Sequence, residues 1–235
     1  MVEFGSQVFR KEFRFVPSEV DLLWEAVDSY TPPFYKGKAL PLAQAEVRVT
    51  AIPETQLISP SDAPNLVYHW ENNYQVVSNV SDFGRQSYTF ETDPLSPSEK
   101  VSVTANDRRE NSFAKNTLDL LFDQFNPKIL FYEIDNNGRL LTQRALNTFS
   151  FVGADTIKLA FQPLFMSSQK PNFVDLYIDW NINGESTAPQ DFAKQNELYI
   201  TAGGESGSAN IGVTTEGIER VIQKSSESID LIFSN

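Results

Sequence analysis

Apolar and polar residues alternate along most of this chain. In Glu46-Val47-Arg48-Val49-Thr50-Ala51 the apolar Val47, Val49 and Ala51 fall on one side, which is the period of two of a strand with one buried face. Ile157-Lys158-Leu159-Ala160-Phe161 reads the same way, as does Val101-Ser102-Val103-Thr104-Ala105. Leu66, Tyr68 and Trp70 share a face, as do Leu176, Ile178 and Trp180, and the closing strands turn Leu118, Leu120 and Phe122, then Ile229, Leu231 and Phe233, inward. Helical spacing is found in 216–224, where Ile218, Val221 and Ile222 follow i, i+3, i+4; the same residues read equally as a strand entering the last hairpin. Residues 18–26 are read as a strand because their counterpart, 129–134, is rich in β-formers.

The alternation is written twice. Leu66-Val67-Tyr68-His69-Trp70 returns as Leu176-Tyr177-Ile178-Asp179-Trp180. Tyr88-Thr89-Phe90 and Leu198-Tyr199-Ile200 are separated by the same stretch of chain as the two tryptophans. Leu118-Asp119-Leu120-Leu121-Phe122 and Ile229-Asp230-Leu231-Ile232-Phe233 keep nearly that separation. Upstream, Leu23-Trp24-Glu25-Ala26-Val27-Asp28 corresponds to Leu130-Phe131-Tyr132-Glu133-Ile134-Asp135, and Lys38-Ala39-Leu40 to Arg144-Ala145-Leu146. Matches in one order at nearly constant spacing indicate a duplicated unit. The boundary falls at Gln124, Phe125, Asn126 and Pro127, a short hinge without a Gly or Ser run, in which Pro127 disfavours continuation of a sheet. The expected organisation is a lead segment or extra strand over 1–16, one domain over 17–124 and a second over 125–235. About seven short strands per copy with turn signals between them predict an all-β fold of two tandem immunoglobulin-like antiparallel β-sandwiches. Trp70 and Trp180 are the expected core anchors, since a buried indole is large enough to join two sheets.

On Trp180-Asn181-Ile182-Asn183-Gly184, a strand ending in Trp before an Asn-Gly turn, and on the strand Tyr88-Thr89-Phe90, the copies resemble bacterial surface immunoglobulin-like domains of the polycystic-kidney-disease (PKD) kind. Ser29-Tyr30-Thr31-Pro32-Pro33-Phe34-Tyr35-Lys36-Gly37-Lys38-Ala39-Leu40 is similar to a phrase in tandem-sandwich proteins of small-genome candidate-phyla bacteria. The first copy departs from the pattern, carrying Asn72-Asn73 where Asn-Gly is expected. The resemblance implies a role in spacing or adhesion outside the cell and assigns no functional residue.

Composition narrows the function. The formal net charge of −12 opposes nucleic acid and anionic membrane surfaces. The absence of Cys removes disulfides, thiolate nucleophiles and Cys-ligated metals. No apolar run is long enough to span a membrane, and the opening segment lacks the apolar stretch of a signal peptide, so a leader or anchor is expected outside this sequence.

Candidate chemistry is sparse. His69, the single histidine, points away from Tyr68 and Trp70 and has no nucleophile motif beside it. Glu25, Asp28, Glu133 and Asp135 recur at corresponding positions, which favours structural hydrogen bonding over a duplicated active site. No cofactor is expected. Asp135-Asn136-Asn137-Gly138 offers oxygen ligands for calcium, but without alternating acidic positions or a distal Glu the turn reading is preferred. Gly203-Gly204-Glu205-Ser206-Gly207-Ser208 reads as a loop, since it lacks the Lys of a phosphate cradle. Among the aromatics Trp24, Tyr30, Phe34, Tyr35, Tyr74 and Phe83, the segment Pro32-Pro33-Phe34-Tyr35 is the candidate exposed contact patch. These features predict a non-catalytic extracellular structural or adhesive module, a spacer or contact surface on a bacterial cell or appendage, whose partner is a protein or a cell-surface glycan. A carbohydrate- or peptide-binding accessory domain is the alternative.

Overall fold

A computed structural model describes residues 2–4, 7–9, 18–55, 60–107, 113–122, 125–152, 156–201, 203 and 206–234. Its regular structure is β-strand, with helical geometry confined to short 3-10 turns such as Pro60–Asn65 and Phe192–Lys194. In the lead segment β1 (Val2–Phe4) pairs antiparallel with β2 (Gln7–Phe9).

Two sheets follow in the first half. One holds β3 (Ser18–Ala26), β4 (Glu46–Thr55) and β7 (Ser87–Glu91), with β4 in the middle; the other runs β6 (Gln75–Val76), β5 (Val67–Asn72), β8 (Ser98–Asn106), β9 (Phe113–Leu121). The second half repeats this order. β12 (Thr156–Leu164) lies between β10 (Lys128–Glu133) and β15 (Glu197–Thr201), and the second sheet runs β14 (Glu185–Thr187), β13 (Leu176–Ile182), β16 (Gly207–Gly217), β17 (Lys224–Ser234). This is two immunoglobulin-like β-sandwiches in tandem. The second half also holds β11 (Thr148–Val152), a short alternating segment not among the strands expected from the sequence; it pairs with β17 in parallel, Phe149 opposite Leu231 and Phe151 opposite Phe233. The sheets are therefore not antiparallel throughout.

The two tryptophans occupy matching settings. Trp70 and Trp180 are both fully buried. Trp70 lies opposite Val103, and Trp180 opposite Val213. Each indole N–H donates to a backbone carbonyl fifteen residues on, Trp70 to Arg85 at 2.8 Å and Trp180 to Gln195 at 2.9 Å. Nearby, the Ala51 amide donates to the Gln86 carbonyl while the Gln86 side chain donates back to the Ala51 carbonyl; Phe161 and Asn196 make the same reciprocal pair. In the second half Trp180 packs edge-on against Phe161 at 5.3 Å, within a core that includes Leu159, Leu198, Ile211 and Leu231.

Three sequence expectations need revision. The residues corresponding to Asn183-Gly184 are Asn73-Tyr74, not Asn72-Asn73: φ is +49° and +65° at Asn73 and Tyr74, and +53° and +84° at Asn183 and Gly184. Positive φ at both central residues is what a tight two-residue hairpin turn needs. In both copies the Asn side chain caps the neighbouring strand, Asn73 accepting from the Lys100 amide at 3.0 Å and Asn183 from the Asn210 amide at 2.9 Å. Next, 216–224 is not helical: β16 ends at Gly217, β17 begins at Lys224, and the intervening turn exposes Ile218, Val221 and Ile222. Their i, i+3, i+4 spacing reflects a turn with apolar residues at its tip. Finally, Asp28 and Asp135 both make structural hydrogen bonds, as expected, but to different partners rather than to corresponding ones, as described below.

By compactness the described chain divides into one unit of Met1–Leu23, Val49–Tyr88 and Lys100–Asp119 and another of Trp24–Arg48, Thr89–Glu99 and Leu120–Asn235. The second unit thus contains the arm 24–48 together with the whole of 125–235.

Candidate functional site

The arm belongs to the second unit through specific bonds. Tyr30 Oη donates to Gln162 Oε1 at 2.6 Å, and the Tyr30 ring meets Phe173 edge-on at 4.8 Å. Gln223 is almost fully buried. Its Nε2 donates to the Ala43 carbonyl at 2.8 Å and to Ser167 Oγ at 2.9 Å, while its Oε1 accepts from the Ser167 amide at 2.7 Å. A buried carboxamide with both ends satisfied fixes the segments it joins, because leaving either end unpaired costs the full desolvation of that group.

The proposed contact patch sits on this arm. Pro33 is exposed, Pro32 is buried, and Phe34 and Tyr35 are half-buried. Phe34 packs edge-on against Tyr132 at 5.3 Å and Tyr35 against Phe165 at 5.8 Å. The two rings are thus packed inward, and the expectation of an exposed aromatic knuckle is corrected to one exposed proline. Trp24 is also half-buried, with the Lys38 ammonium 3.1 Å from its ring centroid, a cation–π arrangement. At the hinge, Phe125 packs against the cluster of Leu42, Leu164 and Phe165, and the Pro127 carbonyl accepts from Ser225 Oγ at 3.3 Å. Asn126 is exposed, and Gln124 lies outside the described residues.

Beside the arm lies an open cleft of about 660 Å³, lined by Asp28, Glu46, Lys170, Asp175, Glu219 and Arg220 among others. Several of these groups already have internal partners. Asp28 Oδ1 accepts from the Glu46 amide at 2.8 Å, and Oδ2 faces Arg220 Nη2 at 3.0 Å. Asp175 accepts from Ser168 Oγ at 2.5 Å and from the Gln169 amide at 3.2 Å. Val174 and Ile218 are half-exposed at the rim, where the Ile218 amide donates to the Asp175 carbonyl. Asp28–Arg220 is an ion pair between a buried carboxylate and a partly exposed guanidinium, and Asp28 Oδ2 makes no hydrogen bond in it.

The other candidates have local explanations. Asp135 Oδ1 accepts from the amides of Asn137 and Arg139, both at 2.9 Å, and Oδ2 lies 3.4 Å from Arg139 Nε. These donors, the Arg139 amide foremost, hold its carboxyl below the usual range. Gly138 completes the turn at φ +79°. Glu25 pairs with Arg48 at 3.2 Å on the surface. His69 is exposed on β5, as its place in the alternation requires. Among the described residues no group of three or more His, Asp or Glu is arranged to hold a metal ion. Gly204 and Glu205 lie outside the described residues.

A second cleft, of about 620 Å³, lies in the first unit at the β5–β6 hairpin. It is lined by Asn72, Asn73, Gln75, Ser78, Asn79 and Tyr88, with Val76 and Val77. Sequence reasoning missed it, because no one of these residues carries a motif.

Comparison with solved structures finds tandem domains of related architecture at low similarity. Three N-terminal domains of the bacteriophage RB49 highly immunogenic outer capsid protein align at 13% identity over 93% of this chain and 59% of that one, with a TM-score of 0.43. Clostridium thermocellum CbhA fibronectin(III)-like modules align at 9% identity over 85% of this chain and 92% of that one, with a TM-score of 0.31. Sidekick-1 immunoglobulin domains 1–4 align at 12% identity over 81% of this chain and 44% of that one, with a TM-score of 0.27. No protein-family model matches the chain, and no curated protein matches it in sequence. The fold assignment rests on the sheets themselves. No helix among the described residues is long and apolar enough to cross a membrane.

Proposed function

We propose that this chain is a non-catalytic structural or adhesive module of the PKD-like immunoglobulin kind, acting outside a bacterial cell as a spacer and contact surface on the envelope or an appendage. The observation that carries the reading is the sealing of the arm by Gln223, which reaches back to Ala43 from far along the chain. With Tyr30–Gln162 and Asp28–Arg220, it makes the arm an integral part of the second unit rather than a free linker. A unit braced internally in this way suits a part that holds other domains at a distance. Three of the four recurring carboxylates make ion pairs or hold turns, as the structural reading of them expects: Glu25 with Arg48, Asp28 with Arg220, Asp135 with its own loop. The net charge of −12 favours a dispersed, soluble surface and cationic or neutral partners.

The test is protease shaving of intact cells that express the complete gene with an internal tag. Loss of the tag from unbroken cells is the expected result; retention of the tag inside cells until lysis contradicts the reading. The alternative, an accessory domain that binds carbohydrate or peptide, draws support from the uncharged cleft of the first unit.

A further inference from the structure

We infer that the cleft at the β5–β6 hairpin of the first unit is a binding site for a neutral oligosaccharide. Its lining includes four carboxamides, Asn72, Asn73, Gln75 and Asn79, with the Ser78 hydroxyl and Tyr88, and no charged side chain among the described residues that form it; Asn73 Oδ1 also accepts from the Lys100 amide and Asn72 Nδ2 donates to Tyr88 Oη at 3.4 Å. On a chain with net charge −12, an uncharged cleft of this size stands apart. Carboxamides and hydroxyls offer donors and acceptors side by side, which is how sugar hydroxyls, each donor and acceptor at once, are held without a charge partner.

The duplication supplies an internal control. Matching hydrogen bonds fix the correspondence between the copies: Trp70–Arg85 with Trp180–Gln195, and Asn73–Lys100 with Asn183–Asn210. In that alignment the second copy has Ile182 for Asn72, Glu185 for Gln75, Pro189 for Asn79 and Leu198 for Tyr88. Only Asn73 of the four carboxamides is retained, as Asn183, because it caps the neighbouring strand in both copies; the fold does not require the amides of Asn72, Gln75 and Asn79.

The turn adds an independent observation. Gly184 occupies the left-handed position in the second copy, whereas the first copy has Tyr74 there at φ +65°. A tyrosine is strained in this region, and such strain clusters at binding sites. Tyr74 is 79% exposed and is flanked on both sides by residues that line the cleft. The Lys100 ammonium lies 5.6 Å from its ring centroid and 3.2 Å from Asp119. Tyr74 does not itself line the cleft, but its exposed ring, next in sequence to the lining Asn73 and Gln75, offers the surface on which a sugar face would stack.

The inference deepens the adhesive reading by naming a partner class, but a titration in solution tests it whatever the location of the protein. The ¹⁵N-labelled full chain is titrated separately with cellohexaose, mannohexaose and chitohexaose, and with a heparin-derived hexasaccharide as the charged comparison. At least one neutral hexasaccharide is expected to shift the amides of 72–79 and 88 saturably, with the heparin fragment weaker. Tyr74→Gly, which restores the residue the second copy uses, is expected to weaken binding at least about tenfold with no loss of thermal stability, and Asn79→Ala to weaken it similarly. The inference is overturned if none of the neutral hexasaccharides moves these amides, if Tyr74→Gly and Asn79→Ala leave the affinity unchanged, or if the heparin fragment binds as well.

Discussion

Trp70 and Trp180 hold equivalent places in the two copies, and each donates its indole N–H to the carbonyl fifteen residues downstream, Arg85 in one case and Gln195 in the other. Replacing either tryptophan by phenylalanine removes the donor, leaves a partly buried carbonyl unpaired and opens a small cavity. Trp70→Phe and Trp180→Phe are each expected to destabilise by about 2–4 kcal/mol, and urea denaturation of the two variants should show similar losses. A loss confined to one of them would mean that the copies do not share their architecture energetically.

The turn residue Tyr74 is held at φ +65° where its counterpart is Gly184. Relief of left-handed strain should make Tyr74→Gly more stable by about 1 kcal/mol, and Gly184→Tyr less stable by a similar amount. Thermal unfolding of the pair measures both signs.

Gln223 satisfies three polar groups, the Ala43 carbonyl, the Ser167 hydroxyl and the Ser167 amide. Gln223→Leu keeps the volume roughly constant and strands those groups. It is expected to cost about 2–3 kcal/mol, read by chemical denaturation, and to raise proteolytic cleavage within the arm 28–45.

Alkaline stability has an identifiable source. Tyr68 is fully buried and donates to the Ala63 carbonyl at 2.9 Å; burial pushes its phenol from 10 up to about 12. The unfolded chain therefore releases this proton first. The stabilisation is complete below pH 10 and falls as pH rises from 10 toward 12, at up to about 1.4 kcal/mol per pH unit. Tyr30, raised in the same direction by burial, adds to the trend. Denaturation midpoints across this range should decline, and Tyr68→Phe should decline less steeply.

Much of the fold was legible because strand burial leaves a period of two in the sequence. Val47 and Val49 can be read without coordinates, as can Leu120 and its counterpart Leu231, all of them buried. The Asn183-Gly184 turn is equally plain, since its residue types match the backbone angles it needs.

Other features left no local trace. The arm's partners are distant in sequence: Ala43 meets Gln223, and Tyr30 meets Gln162. Neither pair breaks a pattern near itself, so a buried Gln and a packed Phe34 read as surface residues. β11 does alternate, in Thr148-Phe149-Ser150-Phe151, but the segment is short and has no match in the duplicated pattern, and nothing local announces its parallel partner β17, far downstream. The uncharged cleft left no motif either, since its lining comes together from the β5–β6 hairpin, the 3-10 turn after it and Tyr88 of β7.

The most direct test of the duplication is hydrogen exchange at the three indole N–H groups, one for each tryptophan of the chain. Trp70 and Trp180, both fully buried and bonded to a carbonyl, should exchange slowly and at similar rates, whereas half-buried Trp24 should exchange much faster. One slow indole in place of two, or a Trp180 that exchanges as fast as Trp24, would contradict a sandwich built twice on the same plan.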